Sequence, residues 1–238
     1  MMPTATKARP IIFDGESVRA ILGGRQTQTR RLLRKFDRYA HWGHAQKILP
    51  DFASEFPGAD DDSWVLQKSA GPIKDLEFQP VKCHLGNLGD ELWVRERWAE
   101  VVADDCQSFI HYDADEEVRS VGFDFDACCE LLGETVTDDN YICEHALTIG
   151  HPWTASSRMP RWASRLTLRV TNVRVERLQE ISNDDAWCEG VSNSPEYDCV
   201  AYFRERWDQI NGKRAPWETN PWVWVVEFER VRDVKGRP

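Results

Sequence analysis

Gly23-Gly-Arg-Gln-Thr-Gln-Thr-Arg-Arg31 decides how the N-terminal part of the chain folds. The glycine pair follows Ser17–Leu22, where Val18, Ile21 and Leu22 recur at i, i+3 and i+4, the spacing of a short amphipathic helix. Glycines there act as a C-terminal cap, because glycine enters the left-handed conformation without steric cost. Ahead of the helix, Pro10-Ile-Ile-Phe13 has strand character; behind the glycines, the Thr-containing run predicts a second strand. Side chains alternate along a strand. Arg25, Thr27, Thr29 and Arg31 therefore share one face, and Gln26, Gln28 and Arg30 the other. A hydroxyl flanked by guanidinium groups suits a polar, anionic or nucleobase-like ligand.

The rest of the chain sorts into further core pieces and two excursions. Leu88-Gly89-Asp90 reads as a turn and Leu92–Trp98 as a strand. Leu166, Leu168 and Val170 alternate with polar residues, and Val173 and Val175 continue with shifted parity, which predicts a β-bulge at Thr171-Asn172. Ser182 and Asp185 form a capping box with Ile181 and Ala186 as its hydrophobic staple, and that short helix ends at Gly190. Val200, Phe203, Trp207 and Ile210 mark a second helix that stops at Asn211-Gly212. Pro221 opens a final strand with Trp222, Trp224, Val226 and Phe228 on one face and Glu227 and Glu229 on the other. Residues 36–79 are polar and interrupted by proline and glycine, which predicts an excursion with little regular structure. Residues 104–150 form a second excursion, with a strand at Phe109–Tyr112 and a short helix at Phe125–Leu132. The expectation is one domain over residues 1–238 carrying these two insertions.

Composition narrows the function classes. The chain has 238 residues, enough to bury a substantial core, and 41% hydrophobic content. No apolar run approaches the roughly 20 residues that a membrane span needs, and the N-terminus lacks a signal-peptide core. A cytoplasmic protein with no membrane partner is expected. The net charge of −10 argues against coating nucleic acid by bulk electrostatics. Basic residues are nevertheless grouped, in Arg19–Arg38 and in Arg158, Arg161, Arg165 and Arg169. Seven cysteines read as free thiols in a reducing compartment. Cys83-His84, Cys128-Cys129 and Cys143-Glu-His145 carry zinc-type ligands, but no CxxC pair is present and the spacing fits no standard zinc module. Neither a metal nor a cofactor is expected.

The Gly23–Arg31 stretch resembles the opening motif of the ASCH family, a branch of the PUA-like fold, in which glycine, a basic residue, lysine and then spaced threonines and arginine follow a short helix. Gly89-Asp-Glu-Leu-Trp-Val-Arg-Glu96 resembles the family's Gly-Asp strand, and Leu178–Gly190 its helix ending in Glu-Gly. Met159–Arg165 and Asn220–Val225 look like segments of the long, Trp-rich ASCH proteins encoded in phages and prophages. The resemblance implies an α+β fold, a small mixed PUA-like β-barrel with helices packed on it, in the cytoplasm of a bacterial host. In the small acetylcytidine amidohydrolases of this family a lysine activates a threonine nucleophile and a glutamate supports proton transfer. Carried over by motif, Thr29 and Glu189 are the catalytic candidates, while Gln26 stands at the lysine position. A threonine hydroxyl needs a neighbouring base, and an amide does not titrate.

Arg25, Gln26 and Arg31 remain candidates for ligand binding. Among eleven tryptophans, Trp93, Trp207, Trp222 and Trp224 read as core. Trp98, Trp153 and Trp162 adjoin polar segments and suit stacking on a base, with Arg161 beside Trp162. Three readings stay open. One is binding of RNA or a modified nucleoside. The second is an amidohydrolase on an acylated nucleoside, or a ribonuclease. The third is a phage accessory protein that modulates a host protein.

Overall fold

The computed structural model describes residues 8–48, 55–56, 59, 63–68, 77–103, 107–120, 152–191 and 198–231. The opening motif folds as strand β1 (Ala8–Ile12), helix α1 (Gly15–Leu22) and strand β2 (Gln28–Leu32). Asp14 accepts from the Ser17 amide at 2.9 Å and starts the helix. Gly24 ends it with φ of 72°, as the glycine pair requires.

Residues 36–79 differ from expectation. In place of little regular structure they carry β3 (Trp42–Lys47), β4 (Trp64–Lys68) and β5 (Phe78–Val81), joined as an antiparallel sheet in the order β3-β4-β5. Strand pairing across long connections leaves little local sequence signal, because the partner residues are distant in sequence. The expected strand at Leu92–Trp98 is also two strands. β6 (Glu91–Arg95) ends before Glu96, and Trp98 begins β7 (Trp98–Ala103), which pairs with β8 (Gln107–Tyr112) and, through it, β9 (Val118–Ser120). The break falls where Glu96, only 1% exposed, turns inward to an arginine. The helix expected at Phe125–Leu132 lies outside the described residues.

The C-terminal half follows its periodicities closely. β10 (Thr167–Arg177) buries Leu168 and Val170, exposes Thr171 and Asn172 in succession, and buries Val175, so its alternation changes parity where expected. Helix α2 (Asn183–Cys188) carries the capping box of Ser182 and Asp185. Helix α3 (Cys199–Asn211) buries Cys199, Phe203 and Trp207. Ile210, assigned to the same stripe, is 63% exposed, because the last turn runs past the surface that α3 packs against. β11 (Trp222–Val231) is buried on both faces from Trp222 to Val226.

The longest sheet has five strands in the order β1-β6-β10-β11-β2. β11 is thus flanked on both sides, whereas β2 is an edge strand, paired antiparallel with Val226 opposite Thr29, Val225 opposite Arg30 and Trp224 opposite Arg31. The fold is mixed α+β, mostly strands in several sheets with few helices, and the described residues form no closed barrel. Two compact units divide the chain: Met1–Arg9 with Ala20–Leu92 and Leu168–Val231, and Pro10–Arg19 with Trp93–Thr167 and Arg232–Pro238. In the first, Leu178, Ile181, Ala186, Phe203, Trp207, Val223 and Val225 make one apolar cluster. In the second, Trp98, Ile110, Tyr112, Met159 and Ala163 make another. Among the described residues no helix is long and apolar enough to cross a membrane.

Candidate functional site

The β2 edge and the C-terminal end of α2 form a buried polar centre in the first unit. Because only one side of β2 pairs with β11, the Arg30 amide is left without a strand partner. Glu189, which caps α2, supplies one: its Oε2 accepts from that amide at 3.1 Å, and its Oε1 accepts from Arg30 Nη1 at 3.0 Å. The Thr27 amide donates to the Cys188 carbonyl at 2.9 Å and ties the start of the strand to the same helix end. Arg30 also lies 3.2 Å from Glu176 and 3.4 Å from Asp185. Its side chain has no exposed surface.

Further charges close the network. Gln28 donates to the carbonyl and the carboxylate of Asp185 at 3.0 and 3.1 Å. Arg174 reaches Asp185 at 2.9 Å and also pairs with Glu176 and Glu227. Burial pushes the Glu189 carboxyl up, and the adjoining Arg30 charge pulls against it. At Asp185 burial acts in the same upward sense, but the Gln28 hydrogen bond and the Arg30 charge outweigh it and hold the carboxyl low.

Gln26, 4% exposed, belongs to this centre: its Nε2 donates to the Gln28 carbonyl at 3.1 Å. Its Oε1 is buried and has no hydrogen-bond partner among the described residues. Gly190 lies against it, so close that a β-carbon there would stand 2.9 Å from Gln26 Oε1. Gln26 and Glu189 are therefore brought together, with Arg30 between the strand and the helix. Strand alternation sends Thr29 and Arg31 to the other face of β2, although the Arg31 charge still reaches Glu189 and helps pull its carboxyl down. Thr29 is 4% exposed; Arg25 and Arg31 are half-buried. A glutamate engaged at both oxygens by Arg30 is poorly placed to take a proton from a threonine on the other face.

The remaining candidates, Trp98, Arg161 and Trp162, lie in the second unit. Trp98 differs from expectation: it is 6% exposed, in β7, because it pairs with Tyr112 and bridges to Thr154. Trp162 is 56% exposed and meets Trp98 edge-on with ring centroids 6.2 Å apart. It sits on the 3-10 turn Arg161–Ala163, whose last carbonyl accepts from the buried Tyr112 hydroxyl at 2.8 Å. Arg161 is exposed beside it. Trp153 is half-buried, 4.8 Å from His111 between ring centroids, with Arg97 5.5 Å over its ring.

Arg165, one of the second group of basic residues, is buried. It pairs with both oxygens of Glu96 at 2.9 and 2.8 Å, with Asp115 at 2.7 Å and with Glu117, and lies 4.1 Å over the Tyr112 ring. Sequence reasoning missed both buried ion networks. The available signal was charge inside apolar periodicity: Arg30 in β2, Arg174 and Glu176 in β10, Glu96 after β6.

Cys83, Cys188 and Cys199 are free thiols, and burial pushes the Cys83 thiol up to about 11. Cys106, Cys128, Cys129, Cys143 and His145 lie outside the described residues. Comparison of the chain with family models, with curated proteins and with solved structures gives no match.

Proposed function

We propose that this chain is an ASCH protein of the PUA-like class, of phage or prophage type, that binds RNA or a modified nucleoside in the bacterial cytoplasm. The observation that carries the binding reading is Trp162, an exposed indole on a turn whose underside is fixed by Ala163, Met159, Tyr112 and Trp98. A rigid aromatic platform offers a base a stacking surface with little ordering cost. Arg161 beside it supplies a guanidinium for phosphate or base. Hydrolysis by the family's lysine-dependent route has less support: the Gln26 amide cannot take up a proton near neutral pH, and Glu189 is committed to Arg30.

The test is fluorescence anisotropy of a labelled single-stranded RNA with native protein and with Trp162→Ala. Loss of one stacked base weakens binding by about 5- to 150-fold. Unchanged affinity in Trp162→Ala rejects the platform. Release of acetate from acetylcytidine by the native protein, abolished in Thr29→Ala, favours the amidohydrolase reading instead.

A further inference from the structure

The sheet β3-β4-β5 lies outside every motif of the resemblance and carries a cavity of its own in the first unit. The cavity measures about 550 Å³, within the range of roughly 300–1,000 Å³ typical of small-ligand sites. Strand register explains its floor. His44 stands opposite Gln67, Gln67 opposite Phe78, and Gln46 opposite Val65. Alternation then puts these five side chains on one face of the sheet, and all five line the cavity. Phe56, from the connection between β3 and β4, forms a wall and meets Phe78 edge-on, with ring centroids 5.8 Å apart. Phe78 is nevertheless 46% exposed, an aromatic ring left open on the floor. The side chains of Gln46 and Gln67 make no hydrogen bond to another side chain among the described residues, although Gln67 is half-buried. The formal charges in the lining, Lys47 and Glu55, cancel.

We propose that this cavity takes an uncharged purine of the 6-amino type, its ring stacked on Phe78 and its amino edge paired with the Gln67 amide. A primary amide presents a donor and an acceptor side by side, which matches the amino group and neighbouring ring nitrogen of adenine. An open aromatic ring stacks on a base of any kind, so Phe78 supplies affinity and Gln67 the choice of base. Register joins the two roles. Gln67 and Phe78 are direct partners across β4 and β5, so a ring lying on Phe78 brings its edge to Gln67. With Lys47 and Glu55 in balance, the lining gives a phosphate no net attraction. The site does not rest on stacking at Trp162, which belongs to the other unit. A free nucleoside and an unpaired adenine in RNA share the required chemistry.

The experiment is isothermal titration calorimetry of the full chain with adenosine, purine riboside and adenosine 5′-monophosphate. Adenosine is expected to bind saturably, and the monophosphate no more tightly. Purine riboside lacks the amino donor and leaves the Gln67 acceptor unpaired, so it is expected to bind about tenfold more weakly. Gln67→Met keeps the length of the side chain without its amide and is expected to level the two nucleosides. Phe78→Ala, on an edge strand, is expected to weaken adenosine by about 5- to 150-fold, with the circular dichroism unchanged. Trp162→Ala is expected to leave adenosine binding as it is. In that background, an oligoadenylate that binds more tightly than adenosine assigns the cavity to a base in RNA; one that does not assigns it to a free nucleoside. The proposal is overturned by the absence of saturable adenosine binding, by equal affinity of native protein for purine riboside, by a monophosphate that binds much more tightly than adenosine, by full affinity in Phe78→Ala, or by loss of adenosine binding in Trp162→Ala.

Discussion

Arg30 illustrates how one residue can look unremarkable in sequence and dominate its surroundings in space. Its side chain is fully buried and faces three carboxylates, Glu189, Glu176 and Asp185. Removing one partner of a buried pair leaves an uncompensated charge, which costs about 3–5 kcal/mol. Arg30→Met therefore lowers the unfolding free energy by that order, measured by urea denaturation. Glu189→Gln costs less, since Arg30 keeps Glu176 and Asp185. If the two variants prove equally destabilising, Glu189 has a role beyond its pairing with Arg30. At this scale the sequence was legible only in part. Alternation correctly put Gln26, Gln28 and Arg30 on one face, but nothing in the spacing showed that Glu189 would join that face and not the face of Thr29.

Among elements, α2 holds the centre together, and it is short enough for its ends to matter most. Ser182 accepts from the Asp185 amide at 3.1 Å, and Gly190 follows the helix with φ of 88°. Ser182→Ala removes the cap and costs about 1 kcal/mol. Gly190→Ala costs more. A left-handed alanine carries about 1–2 kcal/mol, and its β-carbon would stand 2.9 Å from Ala20 Cβ as well as from Gln26 Oε1. Thermal melts of the two variants should place Gly190→Ala lower. The reverse order would mean that the end of α2 repacks without disturbing Gln26. The capping box and the terminal glycine were both readable in advance, because their determinants lie within a few residues of one another. Strands β3, β4 and β5 were not, because each is defined by a partner across a long connection.

For the whole molecule, acid sensitivity follows from His84. An unfolded imidazole takes a proton near 6.5, whereas the folded one resists until about 4. Between these values the unfolded state binds more protons, so stability rises with pH across the window and falls as pH drops through it. Asp185 and Asp115, held low in the fold, add their loss only further down, as the carboxylates themselves protonate. Glu189 and Glu96, whose carboxyls burial holds up, act in the opposite sense, so the His84 contribution is read as a difference: from pH 7 to pH 4 the unfolding midpoint of native protein should fall relative to that of His84→Gln. A native-like slope in His84→Gln would assign the acid sensitivity to other groups.

Local features were settled by the chain itself: the helix after β1, the glycine that ends it, the parity shift in β10, the capped α2, the apolar run of β11. Each depends on backbone sterics or on side chains a few positions apart, and those constraints act before any tertiary contact forms. The placement of charge was decided only by the folded structure. Arg30 and Arg165 are buried because carboxylates from distant segments meet them there, and Trp98 is enclosed while Trp162 is not because β7 pairs with β8. Such outcomes depend on the desolvation of pairs that have no fixed sequence separation, and for that reason no local pattern could carry them.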